Sequence, residues 1–164
     1  MTDDPSQLDT PRAWLKQAIL EIAEEQPELW SLQIGERARV GHIFARLREI
    51  VPRRWDVDME WDRQGIVGDR KWVKSAEITD RYGIPDMVIH RRSRFGTENN
   101  LLVIEVKLDA GSLSTSSDDF EKVTSWMTQI GYRFGALVSL GTREIDTRLM
   151  WLEHPIDRPS VENF

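Results

Sequence analysis

The chain has 164 residues, the length of one domain, and its 40% hydrophobic share is enough to bury a core without covalent staples. It contains no cysteine, which excludes disulfides and thiolate metal sites. The net charge of -6 argues against strong autonomous binding to nucleic acid, because basic residues drive such binding by displacing counterions from phosphates.

The first residues, MTDDPSQLDTPRAW, are acidic and lack the apolar stretch of a signal peptide. No run approaches the ~20 apolar residues of a membrane span. A cytoplasmic protein with no membrane partner is the expectation. Residues 1–164 read as a single domain: 1–34 is a helical extension, 35–140 carries the core, and 141–164 is a C-terminal strand and tail. PRAWLKQAILEIAEE, residues 11–25, predicts an amphipathic helix with Thr10 as its cap and Pro11 in its first turn. Trp14, Leu15, Ala18, Ile19 and Ile22 recur at helical spacing. GERARVGHIFARLREI, residues 35–50, predicts a second helix with Val40, Ile43, Phe44, Leu47 and Ile50 on one stripe, stopped by Pro52. Acidic residues crowd the first helix, while Arg37, Arg39, Arg46, Arg48, Arg53 and Arg54 follow it.

A strand over 55–62 alternates Val57, Met59 and Trp61 with Asp56, Asp58, Glu60 and Asp62. Residues 63–84 are rich in glycine and charge, with one short strand near 71–74. PDMVIHR, from Pro85, predicts a strand, and a loop over 92–100 leads to another, LLVIEVK, at 101–107. A polar loop at 109–117 precedes a helix over 118–130 that carries Phe120, Val123, Trp126, Met127 and Ile130. Strands at 132–140 and 147–153 and a loose tail complete the chain. The loop lengths allow the first three strands to pair as an antiparallel meander. The helix at 118–130 then acts as a crossover that lays 132–140 parallel to 101–107. The fold class expected is α/β, a mixed sheet with helices on both faces. Most of the seven tryptophans are assigned to the core.

In LLVIEVK, Leu102, Ile104 and Val106 face one way, and Leu101, Val103, Glu105 and Lys107 the other. Apolar residues on both faces mark a strand buried on both sides, from whose end two opposite charges emerge. A carboxylate there needs Lys107, water or a metal, and a salt bridge at the strand end is the simpler reading. Asp86 opens the preceding strand, where it also suits a turn after Pro85. In an antiparallel pair the start of one strand lies beside the end of the next, so Asp86, Glu105 and Lys107 converge. Carboxylates are the hard ligands that Mg²⁺ prefers, and a lysine beside them could orient water or stabilise charge developing on phosphorus.

Pro85-Asp86 followed by Glu105-Val106-Lys107 resembles the PD-(D/E)XK nucleases, the restriction endonuclease-like superfamily. The order helix, three antiparallel strands, helix, parallel strand is similar to that core over residues 35–140. ERARVGHIFARL, VDMEWDR, PDMVIHRR and LLVIEVK also resemble a small bacterial group within it. The resemblance implies an αβββαβ core with an extra N-terminal helix, and a metal-dependent phosphodiesterase acting on nucleic acid, DNA first. It implies that Asp86, Glu105 and Glu36, with the backbone carbonyl of Val106, hold one or two Mg²⁺ or Mn²⁺ ions, and that Lys107 is catalytic. The other reading of Glu36 is an acid interacting with a helix macrodipole. Glu60, with Asp62 and Arg63, joins the site from the first strand, or Glu60 pairs with an arginine of the preceding helix. His90, on one strand face with Asp86 and Val88, contacts a phosphate or is structural. Lys122 lies one turn into the second core helix, placed to reach phosphate, and Asp118 caps that helix. Arg91, with Arg92 and Arg94, tracks a nucleic-acid backbone or is solvated. His42, His90 and His154 lack zinc-ligand spacing. The alternative is a non-catalytic or partner-dependent nuclease-fold module in a DNA-processing or phage-defence assembly. The N-terminal helix and spare tryptophans would then meet a partner protein or form a homodimer.

Overall fold

The computed structural model describes residues 10–32, 34–61, 63–64, 69–70, 83–108, 113–141, 146–156 and 159–164. Helix α1 (Pro11–Glu25) starts as its sequence predicts, with Thr10 Oγ1 accepting from Ala13 N–H at 3.2 Å. A short helix α2 (Glu28–Ser31), which periodicity did not reveal, buries Leu29 and Trp30. Helix α3 (Glu36–Ile50) ends before Pro52. There follow β1 (Asp56–Met59), β2 (Arg63–Gln64), β3 (Asp69–Arg70), β4 (Met87–His90) and β5 (Asn100–Lys107). Helix α4 (Asp118–Ser125) continues as a π-helical turn, Trp126–Ile130, before β6 (Phe134–Ser139), β7 (Arg148–Glu153) and β8 (Ser160–Asn163). None of the described helices is long and apolar enough to cross a membrane.

Six strands form one mixed sheet in the order β1-β4-β5-β6-β7-β8, and β2 pairs with β3 apart from it. The β1–β4 and β4–β5 pairs are antiparallel, and β6 lies parallel to β5 after the α4 crossover. Three expectations need correction. The first strand is shorter than 55–62: Glu60 has φ +47, which ends it and swings Trp61 away from the face of Val57 onto the edge of His90. The C-terminal tail is not loose, because β8 pairs with β7 and Glu162 receives Arg12 Nε at 3.0 Å and Lys16 Nζ at 2.9 Å. Leu101 breaks the alternation of β5: the register moves from Ile89↔Leu102 to His90↔Asn100, leaving Leu101 as the extra residue of a bulge. It therefore packs with Leu102 and not with Val103. The strand expected near 71–74 and Asp62 lie outside the described residues.

The α1–α3 layer covers one face of the sheet, Leu15, Ile19, Ile43 and Leu47 meeting Met87, Ile89, Leu102, Ile104 and Val106. Each fully buried aliphatic of this kind contributes roughly 1.5–3 kcal/mol. On the other face, Val123, Trp126 and Met127 of the α4 layer meet Val88, Val103, Leu137 and Met150. A Cβ at Gly135 would come within 2.5 Å of Val123 and Met127, so glycine there lets the crossover helix lie close on β6. Gly131, with φ +86, ends that helix in the left-handed conformation. The strand alternation then decides which layer each polar side chain of β5 must enter.

Candidate functional site

Glu105 follows Val103 onto the α4 face and is 2% exposed. Its Oε1 receives Lys122 Nζ at 2.6 Å, while Oε2 is buried with no hydrogen-bond partner among the described residues. Asp86 precedes β4 beyond Met87↔Ile104, the last pair of the β4–β5 ladder, and its Oδ2 accepts from Val106 N–H at 2.8 Å. In an extended strand the N–H and C=O of one residue leave on the same side. The Val106 carbonyl therefore faces the Asp86 edge too, past the end of the ladder, whereas the next carbonyl, that of Lys107, accepts from Leu140 N–H at 2.7 Å on the β6 side.

Burial, followed by the Asp86 charge, pushes the Glu105 carboxyl up to about 7 against the opposing pull of Lys122. Burial also raises Asp86, although the Val106 N–H and the charges of Lys122 and Lys107 work the other way. Two carboxylates that repel each other, with an unsatisfied buried oxygen and a backbone carbonyl alongside, are in deficit of positive charge. The donors are all hard oxygens, the set that suits Mg²⁺ or Mn²⁺. No three Asp, Glu or His side chains converge into a metal-holding group among the described residues. The fit is thus to an ion that keeps water or substrate oxygens in the rest of its shell, as Mg²⁺ does.

Glu36 opens α3 with Gly35 at its cap position. It lines a cleft of about 190 Å³ with Asp86, Met59 and Glu60. Lys107 does not pair with Glu105 as the short spacing suggested. Its Nζ lies 3.3 Å from Asp119 Oδ1, and although burial opposes its charge, Asp119 and then Glu36 raise the ammonium above its ordinary value. Lys122 takes the place at Glu105, and its stem lies against Gly83, where a Cβ would come within 2.9 Å of it. The cap of α4 is Ser117, whose Oγ accepts from Phe120 N–H at 3.1 Å; Asp118, expected there, is exposed. Asp119 was missed, although its spacing of one helical turn from Lys122 puts both on one face.

Of the other candidates, Glu60 lies beside Asp86, whose carbonyl accepts from Glu60 N–H at 3.1 Å, while His90 and Arg91 lie away from this point. Glu60 pairs with Arg37 at 2.5 Å, the arginine of the preceding helix. His90, 2% exposed at the far end of β4, lies with Nε2 2.9 Å from Asp58 Oδ2. Arg91 covers the Trp55 ring at 4.8 Å, and Arg92 binds Asp58 through Nε at 2.8 Å and through its terminal nitrogen. The arginines after the first helix are largely taken up within the fold as well. Arg39 is buried and donates to Leu32 O, Arg46 meets Glu21, Glu25 and Glu49, and Arg48 lies over Phe44. Compared with family models, curated proteins and solved structures, the chain matches none of them, so the reading of this site rests on its own residues.

Proposed function

We propose that the chain is a metal-dependent phosphodiesterase of the PD-(D/E)XK kind, with a restriction endonuclease-like core and DNA as its polymer. The observation that carries this reading is the convergence of Asp86, Glu105 and the Val106 carbonyl at one sheet end, with Glu105 Oε2 buried and without a hydrogen-bond partner among the described residues. A bound Mg²⁺ or Mn²⁺ would supply Lewis acidity toward the phosphodiester. Asp86 and Glu105 hold the ion, and Lys122 fixes the Glu105 carboxylate from its other oxygen. Asp119 positions Lys107, whose ammonium stabilises charge developing on the phosphoryl oxygens. Glu36 adds negative charge at the cleft mouth, acting on the Lys107 ammonium through space.

One observation favours a partner-dependent version of the same activity. Arg37, Arg39, Arg46 and Arg92 are consumed by internal partners, and the net charge is -6, so a second protein would supply phosphate affinity. Calorimetric titration of Mg²⁺ and Mn²⁺ into wild type and Glu105→Ala, with plasmid nicking on the same samples, tests both versions. Metal binding and nicking that vanish together in the variant are expected of the autonomous enzyme. Metal binding without nicking selects the partner-dependent version, and unchanged binding in the variant sinks the site.

A further inference from the structure

At the opposite end of the sheet, where β5 and β6 begin and β7 ends, a cavity of about 460 Å³ opens beside the first turn of α1. Small-molecule pockets have volumes of roughly 300–1,000 Å³. Leu101 in its wall and Lys107 at the carboxylate site are separated by the length of β5, about 20 Å.

The walls combine the guanidinium groups of Arg12, Arg54 and Arg133 with the rings of Trp55, Phe134 and Trp151. Phe134 and Trp151 lie 5.3 Å apart with 31° between their planes. Arg133 sits 5.1 Å over Phe134, and Arg12 sits 5.8 Å from Trp151. Glu162 holds Arg12 in place, and Arg54 and Arg133 lie at the exposed surface. Layered rings and planar cations offer a flat partner both stacking and charge. Glu153, also in the wall, receives Trp151 Nε1–H at 3.2 Å on one oxygen, leaving the second for another donor. This combination is poorly suited to a bare phosphate, which Glu153 repels and the rings ignore. It suits a ligand that is flat at one end, anionic at the other and carries hydroxyl or amino donors between.

We infer that this cavity binds a nucleotide with a 5′-phosphate, either free or at the end of a strand. The base takes the place of the Arg133 guanidinium on the Phe134 ring, Arg133 turns with Arg54 to the phosphate, and Glu153 accepts from the ribose hydroxyls or a base amino group. The site is independent of the carboxylate end and does not rest on the nuclease reading. Calorimetric titration of nucleoside 5′-monophosphates and of short 5′-phosphorylated single strands, with chelator present to prevent cleavage, tests it. The titrations would use wild type, Arg54→Ala, Arg133→Ala and Glu105→Gln. Saturable binding that weakens about tenfold or more in either arginine variant and persists in Glu105→Gln is expected. Binding of the mononucleotide identifies the free ligand, and binding confined to the phosphorylated strand identifies a strand end. Absence of saturable binding to both, equal binding in the arginine variants, or equal competition by inorganic phosphate would overturn the assignment.

Discussion

Two buried acids stand on the α4 face of this sheet, Asp58 on β1 and Glu105 on β5, and their surroundings are opposites. Asp58 accepts from His90 at one oxygen and from Arg92 at both. Against its desolvation these partners hold its carboxyl down at about 2. Glu105 is buried more deeply, 2% exposed against 9%, and has one ammonium, a neighbouring carboxylate and an oxygen with no partner among the described residues, and its carboxyl is raised to about 7. Burial works against both charges and more strongly at Glu105, and the fold aims three donor contacts at Asp58 against one ammonium at Glu105. A fully satisfied acid is a brace. An acid left short of positive charge retains the capacity to bind a cation, at a cost in stability.

Changing Glu105→Gln should produce the largest effect and the sharpest contrast. Metal-dependent nicking should fall by at least about 10²–10³-fold, because the charge that holds the ion is gone. Thermal stability without metal should rise, by roughly 1–3 kcal/mol, because a strained ionisation is removed. A variant that melts lower than wild type would show that Glu105 is a brace like Asp58. Asp58→Asn should do the reverse. It leaves His90 and Arg92 beside a neutral amide and should cost about 2–4 kcal/mol in urea unfolding, with nicking per folded molecule unchanged. An undiminished midpoint would break the comparison from the other side.

The pH dependence of stability should separate the two acids a third time, with the smallest effect. Asp58 has a folded value below its ordinary 3.8, so its contribution is present above about pH 4 and is lost as the pH falls toward 2. The loss is on the order of 2 kcal/mol. Glu105 has a folded value above its ordinary 4.5, so the folded state takes up its proton first. Its contribution is complete below about 4.5 and disappears as the pH rises through about 7, and it should be missing from Glu105→Gln. Denaturation midpoints collected from pH 2 to 8 on wild type and both variants would resolve the two windows.

Much of this was legible one element at a time. Thr10 and Pro11 announce α1, and period-two alternation sends Glu105 and Val103 to one side and Val106 to the other. The meander places Asp86 beside the end of β5. What local pattern hid was every long-range choice. Asp58, His90 and Arg92 look like three unrelated polar residues until β1 and β4 pair. SVEN has no alternation to betray β8, which is held by backbone pairing to β7 and by the charges of Arg12 and Lys16 on Glu162. The bulge at Leu101 comes from a register mismatch between two strands, which neither strand carries alone.

The sequence by itself therefore determined, Leu101 and Trp61 apart, which residues share a strand face and that two carboxylates meet at one end of the sheet, because backbone periodicity is a local property. Only the tertiary structure decided which cation answers each acid. Lys107 is two residues from Glu105, yet it turns to Asp119, while Lys122 arrives from the crossover helix. A buried charge is answered by whatever the packed layer above it brings within reach, and that layer is set by sheet order and helix packing over the whole chain.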